Sequence, residues 1–345
     1  MGFQGRKRLF SVSLYMTDQI QSTAFVDGPG GGVVYWQLKK TQKLQVIVMK
    51  CCSFGSLNMD HMYRVHAFLS PGETRPAQSV SHVCGGKGLN QAIALASAGA
   101  RVFQAGNVGD DADGQRLIAA LTERGVDASL VRRLPGVDCG HAIIQVADNG
   151  ENCILLFAGA NFGVDEEQIE AALGHFEAGD LLVMQNEINL LPRIMRAAKA
   201  RGLRIAFNPS PFNERVTPEL ITLSDILFVN EVEARQLIPE AADDDDAGRL
   251  LHAKWPHLLL VQTLGSRGAV AYWQGRRLTQ PAIPVQAVDT TGAGDTFTGF
   301  FLAAWTRGEP LQICLRQAAQ AAALCVSHMG TSAAIPTLEE VQRME

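Results

Sequence analysis

From Lys50 onward the chain predicts an α/β/α sandwich with a mostly parallel central sheet and a small β-sheet lid. Three observations carry this. Short apolar runs at Asp180 to Met184, Leu203 to Phe207, Ile226 to Val229 and Leu258 to Gln262 each break into a polar turn, the pattern of buried parallel strands. Two earlier stretches, Gly140 to Val146 and Cys153 to Phe157, alternate instead, and the Asn149-Gly150 pair between them predicts a hairpin. Near the C-terminus, Ile283 to Val288 alternates like a strand end, while Phe297 to Trp305 runs small, apolar and aromatic like a buried helix. The Thr291-Gly292-Ala293-Gly294 turn between them therefore opens a helix.

The 345 residues, 47% hydrophobic and 19% charged, suffice for one large α/β domain with an accessory piece. A net charge of -5 without a basic stripe speaks against nucleic acid as a partner. No apolar run approaches the roughly 18 residues that cross a bilayer, and no signal peptide is evident, so a cytoplasmic protein without a membrane partner is expected. The seven cysteines form no Cys-x-x-Cys pair and the eight histidines show no ligand spacing; reduced thiols are the expectation.

Residues 1–48 carry Arg6-Lys7-Arg8, a Gly-rich break from Gly28 to Gly32 and Lys39-Lys40, and form no clear amphipathic element. We expect a poorly ordered extension there, with Met49 as an alternative first residue. Cys51 to Gly55 reads as a buried strand that delivers Asn58 and Asp60 at its C-terminal end, where ligands bind in open α/β sheets. Two positions apart on an extended chain, they face one side and can hold adjacent hydroxyls; a simple polar turn is the alternative. A strand-like run to Val83 leads into Gly85-Gly86-Lys87-Gly88-Leu89-Asn90-Gln91, which opens an Ala-rich helix. This is not a P-loop, because the Gly-x4-Gly-Lys-Ser/Thr spacing is absent. Its glycines instead let backbone approach a ligand that Lys87 and Asn90 can reach.

The cluster Asp110 to Gly114 lacks the glutamate that closes a calcium loop, since that place falls at Leu121, and predicts a βα turn with a helix cap. Glu187, after the Asp180 strand, could bind a ligand or cap the following helix. Ile226 to Val229 leads into the polar turn Asn230-Glu231-Val232-Glu233. Asp243 to Asp246 is expected to be a solvated loop. Thr263-Leu264-Gly265-Ser266-Arg267-Gly268 is a hairpin-like turn whose glycines permit backbone contact with a nucleotide. Ala318 to Val326 is an apolar helix that Gly330 is expected to cap.

The chemistry concentrates at Gly292 to Asp295. Unpaired N–H groups and the positive end of a helix dipole favour negative charge there, such as a phosphoryl group in transfer, and Asp295 stands at that mouth with its carboxylate free to accept a hydroxyl proton. A tight turn with an aspartate cap is the plainer reading of the same residues.

Asp289 to Phe297, Asp-Thr-Thr-Gly-Ala-Gly-Asp-Thr-Phe, resembles the C-terminal signature of the ribokinase family, the PfkB-type carbohydrate kinases. Gly-Gly-Lys-Gly-x-Asn-Gln-Ala from Gly85 resembles its N-terminal signature, and Gly-Ser-Leu-Asn-Met-Asp from Gly55 its first sugar-binding segment. The likeness runs from about Lys50 nearly to the C-terminus and leaves residues 1–48 outside. It implies a ribokinase-like three-layer fold over residues 49–345, with lid strands from about 62–82 and 138–160 that cover the sugar and pair two copies as a homodimer. It implies an ATP-dependent sugar kinase, with D-ribose phosphorylated at its 5-hydroxyl as the expected reaction. Deoxyribose, fructose, adenosine or pseudouridine, or a catalytically silent sensor, are the alternatives.

By the same resemblance Asp295 is the base and the Gly292, Ala293 and Gly294 amides the anion hole. Asn58, Asp60, Gly86, Lys87, Asn90 and Glu187 contact the sugar. Asn230, the loop from Thr263 through Leu264, Gly265, Ser266 and Arg267 to Gly268, and Gly294 hold ATP, and Glu233 serves magnesium. Asp289, Thr291, Cys325, His328 and Gly330 surround a potassium ion, with Ala334 in place of the family's serine. Ala319 stands where the family has Asn or His beside adenine, and the neighbouring Gln320 is the expected substitute.

Overall fold

The computed structural model describes residues 49–344 and one short antiparallel pairing, Ala24–Phe25 (β1) with Tyr35–Trp36 (β2). By contacts the chain divides into Met1–Val48 and Met49–Glu345. The expected character of residues 1–48 falls outside the described residues, and all further elements belong to the second unit.

The first half of that unit runs β3 (Lys50–Phe54), β4 (Asn58–Val65), β5 (Ser79–Gly85), α1 (Lys87–Ser97), β6 (Arg101–Gly109), α2 (Ala112–Glu123), β7 (Asp127–Leu134), β8 (Gly140–Ala147) and β9 (Asn152–Phe157). The regular βα part continues with α3 (Glu166–Leu173), β10 (Leu181–Gln185), α4 (Leu191–Ala200), β11 (Arg204–Asn208), α5 (Pro218–Leu223), β12 (Ile226–Asn230), α6 (Glu231–Leu237) and α7 (Asp244–Lys254). The chain closes with β13 (Leu259–Thr263), β14 (Ala269–Trp273), β15 (Arg276–Gln280), α8 (Ala293–Thr306), α9 (Leu311–Val326) and α10 (Leu338–Gln342).

A nine-stranded sheet in the order β15-β14-β13-β12-β11-β10-β3-β6-β7 forms the middle layer, parallel except for the antiparallel pairings of β14 with β13 and β15. Successive strand residues serve opposite faces, as the pleat requires. Cys51, Leu181, Val183, Ile226 and Phe228 pack with α1, α8 and α9, whereas Cys52, Phe54, Leu182, Met184, Leu227 and Val229 pack with α3, α4 and α6. Two buried faces are why these runs read as continuously apolar. The second sheet, β5-β4-β8-β9, pairs β4 with β8 in parallel and closes the Asn149-Gly150 hairpin between β8 and β9. Among the described residues no helix is long and apolar enough to cross a membrane, and all seven cysteines are free.

Three local expectations are corrected. Ile283 to Val288 forms no strand: Pro281 and Pro284 remove ladder donors, and Val288 N–H donates instead to Val326 O at 2.7 Å. Asp243 to Asp246 is a helix start and no loop, since Asp243 caps α7 by accepting from Asp246 N–H, and acidic residues suit that first turn. Gly330 does not cap α9, which ends at Val326 with Ser327 as its cap; its positive φ of 103° serves a later turn. Asp111, as expected, caps α2 by accepting from Gly114 N–H.

Helices α1 and α8, which carry the two Gly-rich turns, cross where Gly299 meets Ala94. A Cβ at 299 would overlap the Ala94 methyl and stand 2.8 Å from Leu95 N. Gly299→Ala is therefore expected to cost roughly 1–3 kcal/mol by overpacking, despite alanine's better helix propensity. A lowered urea midpoint would show it, and a raised one would mean the helices separate freely.

Candidate active site

The C-terminal ends of β3 and β10 and the N-termini of α1 and α8 meet around one cluster of charge. Gly86 enters α1 at φ 89°, a value open to glycine, and leaves the first-turn amides without a side-chain cap of their own. Other segments satisfy them: Lys87 N–H donates to Glu187 Oε2 at 3.1 Å, Gly88 N–H to Ser56 Oγ at 3.3 Å and Leu89 N–H to Ser56 O at 3.0 Å. Glu187 thus caps α1 from 100 residues away and leaves α4 uncapped. It also accepts from the Ser56 hydroxyl.

Helix α8 begins at Gly292, in the left-handed region at φ 77°, with no side-chain cap. Of its first amides, Ala293 N–H has a long 3.4 Å contact to Thr290 O, and a Cβ on Gly294 would meet nothing within 4 Å. That end is open and electropositive. Asp295, one turn in, is 8% exposed. Its carboxylate is not free as expected: Oδ2 accepts from Asn90 Nδ2 at 3.0 Å and Oδ1 from Gln91 Nε2 at 2.9 Å. Gln91 is held in turn by Gln185, whose Nε2 donates to Gln91 Oε1 at 2.7 Å. The two amides fix the rotamer, and each carboxylate oxygen keeps a further lone pair.

Asn58 and Asp60, both buried, lie on one side of β4. Burial, helped by Glu187 and Asp295 and opposed by Lys87, pushes the Asp60 carboxyl up to about 7. Burial pulls the Lys87 ammonium down, but Asp295, Glu187, Glu233 and Asp60 together outweigh it and hold its pKa above the ordinary lysine value. One ammonium thus balances several carboxylates in a confined space, a setting for binding hydroxyl groups.

On the other side of Gly294 lies a cleft of about 580 Å3. Asn230, Thr263, Gly265, Ser266 and Gly268 line it from the sheet side, and Ala293, Gly294 and Ala319 from the helices. Leu264 is buried instead, and Arg267 turns away to pair with Asp244, so neither is a lining residue. Gln320 is also buried and outside the lining, and so does not replace the side chain that Ala319 lacks. Sequence reasoning misses the apolar walls from Ile283 to Val285, with Phe297 and Val326, because alternation in the first of these segments reads as a strand.

Asn230 and Glu233 form a reciprocal capping box on α6: Glu233 N–H donates to Asn230 Oδ1 at 2.8 Å, and Asn230 N–H to Glu233 Oε2 at 3.0 Å. At the far edge Asp289 Oδ1 accepts from Thr291 N–H at 2.9 Å and Oδ2 from Gly330 N–H at 3.1 Å. These bonds hold the 289–291 and 325–330 segments together, with the Cys325 thiol 4.0 Å from Thr291 O. The exposed His328 has its Nδ1 2.9 Å from Leu324 O, and Ala334 is buried in a 3-10 turn.

The sequence profile described as pfkB family carbohydrate kinase matches residues 48–338. The chain is 35% identical over 292 residues to the ribokinase of Haemophilus influenzae, covering 83% of this chain and 95% of that protein. It is 30% identical over 298 residues to the deoxyribokinase of Salmonella typhi, covering 85% and 97%. The solved structure of Arabidopsis thaliana ribokinase complexed with ribose and ATP superposes with a TM-score of 0.76 at 29% identity, covering 86% of this chain and 99% of that one. The two Gly-rich turns, the three-layer fold with its second sheet and a match spanning the whole βα part agree: the chain belongs to the pfkB family of carbohydrate kinases.

Proposed function

We propose that the protein transfers the γ-phosphoryl group of ATP to the 5-hydroxyl of D-ribose. The observation that supports this is the position of Asp295 in the first turn of α8, next to Gly294, which lines the cleft, with its carboxylate held by Asn90 and Gln91 of the helix that opens at Lys87. Asp295 takes the hydroxyl proton as the oxygen attacks, and the Gly292, Ala293 and Gly294 amides meet the charge on the transferring group. Asn58, Asp60, Gly86, Lys87, Asn90 and Glu187 orient the sugar. Asn230, Thr263, Gly265, Ser266, Gly268 and Gly294 receive the nucleotide.

Glu233 has Oε2 engaged in the capping box, so Oε1 is the oxygen that would remain to serve a magnesium ion. A potassium ion would be held by peptide oxygens of the 289–291 and 325–330 segments, which the Asp289 carboxylate ties together, with Thr291, Cys325, His328 and Gly330 as contributors and no side-chain oxygen from Ala334. The metal ions, when bound, supply positive charge beside the phosphates. Ile154, Leu155, Leu156 and Phe157 of β9 are exposed, which supports a homodimer through the second sheet in a cytoplasmic protein.

The test is ADP release with magnesium and potassium against ribose, deoxyribose, fructose, adenosine and pseudouridine. Ribose should give the highest kcat/KM. Preference for another acceptor would overturn the ribose assignment and keep the kinase; silence with all five in protein that binds ATP would overturn the activity.

A further inference from the structure

We propose that Asn161 is a positioning residue that fixes which way round the Asn58 carboxamide stands, so that the pocket presents an N–H donor to the pentose 2-hydroxyl and selects for sugars that carry one. This rests on the pentose-kinase reading above and adds to it the residue that sets selectivity.

Asn161 lies in the 3-10 turn Gly159–Phe162 after β9 and is 1% exposed. Main-chain groups, whose direction is not ambiguous, set its orientation. Leu57 N–H donates to Asn161 Oδ1 at 2.9 Å, and Leu57 O accepts from Asn161 Nδ2 at 3.4 Å. Because a backbone N–H can only donate, the Asn161 oxygen must face it and the nitrogen must face away. That nitrogen reaches Asn58 at 2.7 Å, so the Asn58 atom it meets is the oxygen. The Asn58 amide nitrogen is left for the pocket, on the side of β4 that carries Asp60.

Gly140, the parallel partner of Asn58 on β8, makes the arrangement possible. A Cβ at 140 would run into both Asn161 Nδ2 and Asn58 Oδ1 and stand 2.9 Å from Ala158 O. A locked donor differs from a freely rotating carboxamide, which adapts to whatever the ligand offers. A sugar without the matching hydroxyl leaves the N–H of Asn58 unpaired in a desolvated site, and it cannot turn to recover a bond.

Asn161→Asp tests this nearly isosterically. The new carboxylate keeps the Leu57 N–H bond but sets an oxygen against Asn58, whose carboxamide must turn over and present oxygen to the sugar, so that the hydroxyl can bond it only by giving up the bond its single hydrogen makes elsewhere in the pocket. The ratio of kcat/KM for ribose to that for 2-deoxyribose is expected to fall roughly 10- to 100-fold, through KM for ribose, with KM for ATP close to wild type and a lowered thermal midpoint, since a carboxylate replaces an amide that is 1% exposed. Should the variant fold poorly, Gly140→Ala presses on the same bond from the opposite strand and should shift the ratio the same way.

A double-mutant cycle separates positioning from general structure: once Asn58→Ala has removed the amide, adding Asn161→Ala should leave the ratio nearly unchanged. An equal effect of Asn161→Ala with and without Asn58, or an unaltered ratio in Asn161→Asp, overturns the positioning role while the kinase reading stands. A wild-type protein that turns over neither pentose overturns the pentose reading, and with it the selectivity assigned to Asn161.

Discussion

Asp295→Asn is expected to lower turnover roughly 10²- to 10⁴-fold and to leave sugar affinity within a few-fold of wild type, the signature of losing a positioned base and little else. The geometry makes the substitution clean. The introduced carboxamide would keep an oxygen for Gln91 Nε2, which cannot turn because Gln185 holds its Oε1. Its new NH2 group would then face Asn90, whose Oδ1 has no partner among the described residues and can swing round and accept. One amide flip absorbs the change, so folding is preserved while the proton acceptor is gone; because Asn90 is itself a proposed sugar contact, its flip accounts for the few-fold change allowed in sugar affinity. Steady-state kinetics with direct titration of sugar binding checks both halves. Unchanged turnover in folded protein removes Asp295 from the chemistry, and a loss of binding equal to the loss of rate would make it a sugar ligand instead.

How much of this site is legible in the sequence depends on the range of the interactions. The turn at Gly292 and the turn at Gly86 are local: glycine at positive φ, then a helix, is written in consecutive residues. The parallel strands are legible because burial on both faces leaves an unbroken apolar run. What escapes depends on partners far away in the chain. Glu187 bonds Lys87 N–H across 100 residues, and no pattern near either residue marks it, so capping of its own helix is the natural alternative. Asn161 reaches Asn58 across 103 residues from a short turn with no periodicity to single it out. Gln91 sits inside a recognised motif, yet its role as the second donor to Asp295 depends on how α1 crosses α8. Ile283 to Val288 misleads for the opposite reason: alternation is present, but two prolines leave too few donors for a ladder, and the segment becomes a wall of the cleft.

Lys87→Met should have the second largest effect, and its pH dependence is more informative than its size. With the ammonium gone, Asp60, Glu187 and Asp295 share the cluster without a counter-charge. Removing one partner from a buried charged group costs about 3 kcal/mol or more, because the remaining charges stay desolvated. The sign of the pH dependence follows from the two shifted groups. Lys87, raised in the folded state, contributes stability that is fully present below its unfolded value near 10.5 and is lost only in alkali, so it adds no slope between pH 4 and 8. Asp60, raised from 3.8 to about 7, binds its proton more tightly folded than unfolded, so stability falls as pH rises across that interval. Lys87 is the one influence that lowers the Asp60 pKa, and without it the carboxyl moves further up and the fall extends to higher pH. Urea midpoints at pH 5 and pH 8 should therefore show a deficit that is larger at pH 8 and partly relieved at pH 5, where Asp60 is protonated. Asp60→Asn in the same background should recover part of the pH 8 loss. A deficit of equal size at both pH values would mean that Lys87 stabilises through its packed methylene stem and not through its charge.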